Sequence, residues 1–203
     1  MKLLSLFLVF VLTSLCTTGK TITFDFEDPK QINNLIFQMD APLESINGSA
    51  DGISGEVFFD PSAPSETTGE IIVDAASLHV GNSLLKKHIH SKDWMSVEEY
   101  PTIKFSLTRL ANVKKEGMHH IAQAIGKMSI RNVTMKMKVP VKLTFLQGML
   151  EKRNRVPGDL LIIRSEFSVK RDDFNIRKGE NLEKVANEIS ISLNIAGAAP
   201  LGK

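Results

Sequence analysis

Between residues 135 and 145 the chain alternates without interruption. Met135, Met137, Val139, Val141, Leu143 and Phe145 take the odd positions, and Lys136, Lys138, Pro140, Lys142 and Thr144 take the even ones. A period of two puts these sets on opposite faces of an extended strand, where a helix would repeat every 3.6 residues. Pro140 falls on the polar face and has no N–H for a ladder, so the strand is expected at a sheet edge or bulged at that point. The same period recurs in Ile22-Phe24-Phe26, in Ile103-Phe105-Leu107, in Leu161-Ile163 with Phe167-Val169, and in Ile189-Ile191-Leu193-Ile195. Weaker runs at residues 35–39, 56–59, 70–73 and 121–130 bring the expected strands to about nine. Turn chemistry stands between them at Asn47-Gly48, Asp51-Gly52, Asp60-Pro61, Lys115-Glu116-Gly117 and Pro157-Gly158.

Residues 77–101 break the pattern. Asn82 or Ser83 can cap a helix carrying Leu84, Leu85, His88 and Ile89, and Ser96 with Glu99 has capping-box spacing just before Tyr100-Pro101. The reading is an all-β chain with a short helical insertion around residues 82–99. Many short strands joined by tight turns in one chain of this length argue for a sandwich or a closed antiparallel barrel. With no internal repeat and no low-complexity linker, residues 20–203 are expected to form a single domain.

Residues 1–19 read as an address. A basic Met1-Lys2 start precedes a run at 3–15 interrupted only by small hydroxyl residues, which is the length of a secretory signal and too short to span a bilayer. Cleavage before Lys20 and cleavage after Cys16 are both compatible with this stretch. A competing reading makes Cys16 the acylated first residue of a lipoprotein, although Leu15 occupies a position where such signals prefer a small residue. The expected location is the periplasm or the exterior.

Composition narrows the function classes. The 203 residues carry 25 basic and 23 acidic side chains, a formal net charge of +2, and no local basic block of the kind nucleic-acid binding requires. The single cysteine excludes an intramolecular disulfide framework and any multi-cysteine metal site. Alternation alone does not say which face is inside, and an outer-membrane barrel would point its apolar residues at lipid. Such a barrel needs aromatic girdles; one Trp, one Tyr and 6% aromatic residues overall favour a soluble barrel with an apolar interior.

A search for chemistry returns little. No nucleophile elbow, zinc-protease helix, phosphate loop, dinucleotide fingerprint or calcium loop is present. His88 and His90 would share a face on a strand and could chelate a metal there, but on the expected helix they diverge, so one is read as exposed and the other as packed. His119-His120 is expected at a solvated hairpin tip. The lysines at 136, 138 and 142 read as a solvated strand face, with transient membrane contact as the alternative. Neither a metal nor a catalytic group nor a cofactor is expected.

Several separate motifs then agree in order and spacing. Residues 55–61 (GEVFFDP), 74–77 (DAAS), Gly81-Asn82 with His88-Ile89-His90-Ser91-Lys92-Asp93-Trp94, and Tyr100-Pro101-Thr102-Ile103-Lys104-Phe105 resemble the YceI-like family, the polyisoprenoid-binding, lipocalin-like proteins of the bacterial periplasm. Residues 126–133 (GKMSIRNV) with the strand that follows, and Arg171-Asp172-Asp173-Phe174-Asn175-Ile176, extend the resemblance over nearly the whole chain past the signal. It implies an eight-stranded antiparallel lipocalin-like barrel whose apolar lumen holds one isoprenoid lipid, of quinone or polyprenyl type, as cargo.

Combined with the alternation, this makes Phe105, Leu107, Met135, Met137, Val139, Phe167, Val169, Ile191 and Leu193 the candidate lumen residues, with small positions at Ala122, Ala124 and Gly126 leaving room for a slot. Carried over from the family's motifs, Asn82, His88, Asp93, Arg131, Arg171 and Asp172 are the polar candidates for the mouth. Structural roles compete: Arg131 can equally pair with Asp172 or Asp173 to pin two turns. The chain departs from the family at residues 28–39, where the expected histidines are replaced by DPKQINNLIFQM, and at Arg131-Asn132-Val133-Thr134-Met135-Lys136. Three functions follow: a lipid carrier for transport, storage or stress protection; a secreted interaction or adhesion protein with a filled barrel; and an enzyme built on His88, His90 and Asp93. The carrier is the preferred reading. Monomer and homodimer are both open.

Overall fold

The alternating segments become the walls of one closed sheet. The computed structural model describes residues 19–202, so the expected signal segment and Cys16 lie outside the described residues. Eleven strands run in chain order as β1 (Ile22–Asp25), β2 (Asn34–Asp40), β3 (Ser45–Ala50), β4 (Ile53–Phe59), β5 (Thr68–Asp74), β6 (His79–Val80), β7 (Thr102–Glu116), β8 (His119–Ile130), β9 (Val133–Leu146), β10 (Gly158–Lys170) and β11 (Glu188–Pro200). Two helices, α1 (Ser83–His90) and α2 (Leu150–Asn154), lie in connections.

The sheet reduces to eight walls because three of them are broken once. β1 and β2 both pair with β11, through Asp25↔Ala198 and through Asn34↔Asn194 to Gln38↔Ser190. β4 pairs with β1 and β3 with β2, and β5 and β6 follow on β4 and β3. Long strands β7 to β11 complete an antiparallel meander, closed where the first wall meets the last. This is the expected all-β, eight-stranded barrel.

The meander sorts its connections to two ends. The turn at 41–44, the insertion holding α1, the Arg131-Asn132 tip and the segment 171–187 gather at one end, here the mouth. Residues 60–67, the Gly117-Met118 tip and the connection holding α2 gather at the other, the closed end.

The first wall shows how a break is tolerated. Strands β1 and β2 leave the backbone of Ala196 without a strand partner, and the Asn33 carboxamide supplies one: it accepts from Ala196 N at 2.9 Å and donates to Ala196 O at 3.2 Å and to Phe26 O at 2.9 Å. Buried backbone groups must be paired, and here a side chain does it. The excursion itself is held by Asp28, whose carboxylate accepts the amides of Lys30, Ile32 and Asn33 and is bonded by Arg153 at 2.7 Å. Burial is the largest single influence on Asp28 and opposes its ionisation, but these bonds and the Arg153 charge together outweigh it and hold the carboxyl below its usual range. The excursion also shifts the phase, so that Phe24 and Phe26 face inward on even numbers and Phe37 and Met39 on odd ones.

Several expectations need correction. Asn47-Gly48 is no turn; it lies within β3, where the missing Cβ of Gly48 makes room for the Phe37 ring, whose Cζ would stand 2.1 Å from it. His119 and His120 belong to β8, and the hairpin tip is Gly117-Met118. Ser96 and Glu99 make a single turn, with Ser96 Oγ bonded to Glu99 at 3.3 Å, and only residues 83–90 are helical in that insertion. Pro140 stands as expected on a locally unpaired edge: it pairs with Gln123 of β8 on one side, while on the other β9 and β10 pair from Leu146↔Leu160 to Lys142↔Arg164 and no further. Beyond that point Ser165 Oγ donates to the Pro140 carbonyl at 2.6 Å. In β7, a bulge between Leu107 and Arg109 shifts the phase again and turns Leu110 inward.

Candidate functional site

The barrel interior divides into a floor and a cavity. At the closed end Phe24, Phe59 and Phe145 meet edge-on or tilted with ring centroids 6.0 to 6.4 Å apart, and His120 stands edge-on to Phe59 at 6.2 Å. Phe24 and Phe59 are wholly buried. Burial, reinforced by the charge of Lys115, lowers the His120 pKa below its ordinary value, so the floor holds a neutral imidazole. Its Nδ1 is buried without a hydrogen-bond partner.

Above the floor the inward side chains still pack along the walls but leave space between them. They surround a cavity of about 200 Å³, counted as space that water centres can reach, running from Val57, Leu110 and Leu143 up to Trp94, Ile130 and Val169. Its few polar neighbours are already engaged. Ser165 bonds Pro140, Glu70 faces Lys104 at 3.4 Å on the outer surface, and Arg171 is bonded as described next. By volume the cavity could hold several waters, but it offers them no free polar partners, and so suits an apolar occupant.

Of the expected lumen residues, Phe105, Leu107, Val139, Phe167, Val169, Ile191 and Leu193 line this cavity. Met135 and Met137 do not. They share the inward register of β9 through Met128↔Met135 and Gly126↔Met137, but Met135 stands at the rim, 36% exposed. Ala124 is a lining residue, whereas the room beside Gly126 is filled by Phe105, whose ring atoms would lie 2.7 and 3.1 Å from a Cβ there. Leu35, Phe37 and Met39 of β2 and Trp94 and Met95 of the insertion also line the cavity. The alternation at 35–39 carried the signal for the first three, and Trp94 lay inside a quoted motif.

The six polar candidates all gather at the mouth, and all but His88 have an internal partner. Arg171 is 1% exposed and donates all five of its N–H groups to backbone carbonyls: Ala186 and Ile176 at 3.1 Å, Val185 at 3.0 Å, and those of Arg177 and Glu180. Burial, with help from Arg177 and against Asp172 and Glu180, lowers its pKa, yet a guanidinium with five donors in use must be protonated. Asp172 accepts Gly179 N at 3.0 Å within the same segment. Arg131 does not pair with Asp172 or Asp173; it reaches the Asn175 carbonyl at 3.4 Å and lies 5.5 Å over the Tyr100 ring. Asn82 caps α1 by accepting the amides of Leu84 and Leu85 at 3.0 Å. His88 is exposed, and His90 is the packed one, 2.8 Å from Leu78 O. Asp93 faces Arg177 at 3.8 Å.

Trp94 stands between Arg171 and Arg177, its ring 5.7 and 5.9 Å from the two guanidinium carbons. With Met39 and Ile89 it divides the lumen from a shallow vestibule lined also by His88, Asp93, Arg177 and Lys184. Among the described residues no three His, Cys, Asp or Glu side chains converge to hold a metal ion.

A closed antiparallel meander of eight walls around an apolar interior defines a lipocalin-like barrel. The YceI-like domain model matches residues 17–197, and the chain belongs to that family. It is 27% identical over 150 residues to a UPF0312 protein of Photorhabdus laumondii, covering 74% of this chain and 72% of that one. It is 23% identical to the protein YceI of Salmonella newport, over 93% and 94% of the two chains. Among solved structures, BcnA of Burkholderia cenocepacia superposes with a TM-score of 0.64 at 22% identity, covering 81% of this chain and 95% of that one. A polyisoprenoid binding domain from Saccharophagus degradans, implicated in plant cell wall breakdown, gives 0.64 at 10% identity, over 89% and 100%.

Proposed function

We propose that the protein binds a long isoprenoid lipid with its chain in the cavity and its head group in the vestibule, serving as a periplasmic or secreted carrier and not as an enzyme. The observation that carries this reading is an apolar cavity whose polar neighbours are all internally bonded. Membership of the YceI-like family and the fold shared with a polyisoprenoid binding domain support it.

The physical logic is that of shielding. Each buried CH₂ gains about 0.8 kcal/mol over water, so a polyprenyl chain would be held far too tightly for release if water were the donor. From a bilayer the chain exchanges one apolar environment for another, and the net stays near zero. Loading and unloading are then reversible. In the vestibule Arg177 already faces Glu180 at 2.5 Å and Asp93 at 3.8 Å, so its charge is engaged before any head group arrives.

Mass spectrometry of an organic extract from the natively purified protein tests the proposal. A stoichiometric isoprenoid quinone or polyprenol is the expected result. An empty extract, with no uptake when a quinone or polyprenol is added back, overturns it.

A further inference from the structure

The outer face of the barrel is not uniform. On β8, β9 and β10 the side chains opposite to the lumen set are Lys127, Lys136, Lys138, Lys142 and Arg164, and Arg109 of β7 joins them beside Ile125. All six are exposed, and among the described residues none lies within ion-pair distance of a carboxylate. Glu166, two residues from Arg164, is the carboxylate on the same stretch of β10. The register sets like charges directly opposite each other, Lys127↔Lys136 and Lys142↔Arg164. Such pairs repel across a ladder. The chain as a whole carries only +2, so the rest of the chain, without these six cations, is net acidic.

One ladder within this wall is also incomplete. The β9–β10 ladder stops at Lys142↔Arg164, leaving the rest of β9 and β10 unpaired toward each other. Behind that unpaired stretch stand Val139, Val141, Phe167 and Val169, all lining the cavity. The cationic surface thus lies over the stretch of wall where β9 and β10 are not paired by backbone, with the apolar interior directly behind it.

We propose that the outer face of β7–β10 docks onto an anionic lipid bilayer, with the unpaired stretch beside Pro140 turned toward it. The partner's chemistry follows from the surface. Cations from four strands, spread over a curved wall with Ile121 and Ile125 between them, match a laterally mobile array of anionic head groups. The docking rests on this face alone and not on what the lumen holds.

Flotation with liposomes tests it. Vesicles of phosphatidylcholine with phosphatidylglycerol should capture the protein, and vesicles of phosphatidylcholine alone should not. Raising salt to about 0.5 M, where screening shortens to a few ångströms, should release it. The K136E/K138E/K142E variant should lose capture by about tenfold or more, while K87E on α1 should keep it. Circular dichroism and quinone uptake from detergent, both unchanged in the triple variant, separate loss of docking from loss of fold or cargo binding. Equal capture by both vesicle types, unchanged capture of the triple variant, or preference for a duplex DNA competitor over anionic vesicles would each overturn the proposal.

Discussion

The two ends of the barrel use the same alternation to opposite effect. At the closed end Phe24, Phe26, Phe59 and Leu161 are wholly buried and the aromatic rings meet one another. Toward the mouth Phe105, Leu107, Phe167, Ile191 and Leu193 also point inward, yet each keeps part of its surface open, because the facing walls hold the cavity between them. An eight-stranded barrel is just wide enough to be filled by side chains or to hold a small ligand; here it does one in each half. The floor supplies packing that the open half forgoes, and the open half can be empty without collapse.

Substitutions sharpen this contrast, and the largest expected change in stability is in the floor. Phe59→Ala should cost about 3–5 kcal/mol, because it cuts a cavity into a close-packed cluster. Phe167→Ala should cost about 1–2 kcal/mol, since its ring is only partly withdrawn from open space. Urea unfolding of the two variants measures the difference, and equal costs would refute the division into floor and cavity.

Asp28→Asn should cost about 2–3 kcal/mol by weakening the charge-assisted bonds that fix the break in the first wall. The sign with pH follows from the lowered pKa of Asp28. Its contribution is full above the ordinary value of 3.8 and is lost as pH falls through the folded value, so the variant should show a flatter acid limb in thermal melts.

His120 acts in a different window. Its folded pKa lies below the ordinary 6.5, so its contribution is present above that pH and fades as pH falls below it, when the unfolded chain takes up a proton that the floor resists. His120→Leu should therefore remove the decline in stability just below pH 6.5 and leave the Asp28 limb in place. Chemical denaturation at several pH values reads both.

The smallest change has the opposite sign. Ala124→Leu, directed into the cavity, should stabilise the protein by about 0.5–1 kcal/mol while lowering isoprenoid uptake, because it fills space that the cargo would use. Uptake unchanged by this substitution would place the lipid elsewhere.

The walls were legible because period two is a local signal. Residues 135–145 announced β9, and the weaker runs at 35–39 and 70–73 became β2 and β5. β3 and β6 were missed: Ser45–Ala50 carries the Asn-Gly pair of a turn, and its strand character comes from β2 and β6 on either side and from Phe37 packed over Gly48. Tertiary context overrode local chemistry there. The mouth residues were found as a group, but their internal partners were not, since Arg171 bonds carbonyls 5 to 15 residues away in a segment without periodicity. Of the basic wall, the chain's order showed one strand face, Lys136, Lys138 and Lys142. The wall's other members are spread from Arg109 to Arg164, and only the strand register brings them together.

The closure between β1 and β11 bears on how the molecule assembles. Asp25 and Ala198, paired across it, are separated by nearly the entire folded chain, and so are Asn33 and Ala196. Contacts of such long sequence separation carry the greatest loop-closure cost and form late. During synthesis β2 and β10 must wait with open edges until β11 arrives between them, and an unpaired edge is a template for association with another chain. The Asn33 carboxamide is then the last latch to engage, and the speed of its closing sets how long the nascent sheet stays exposed.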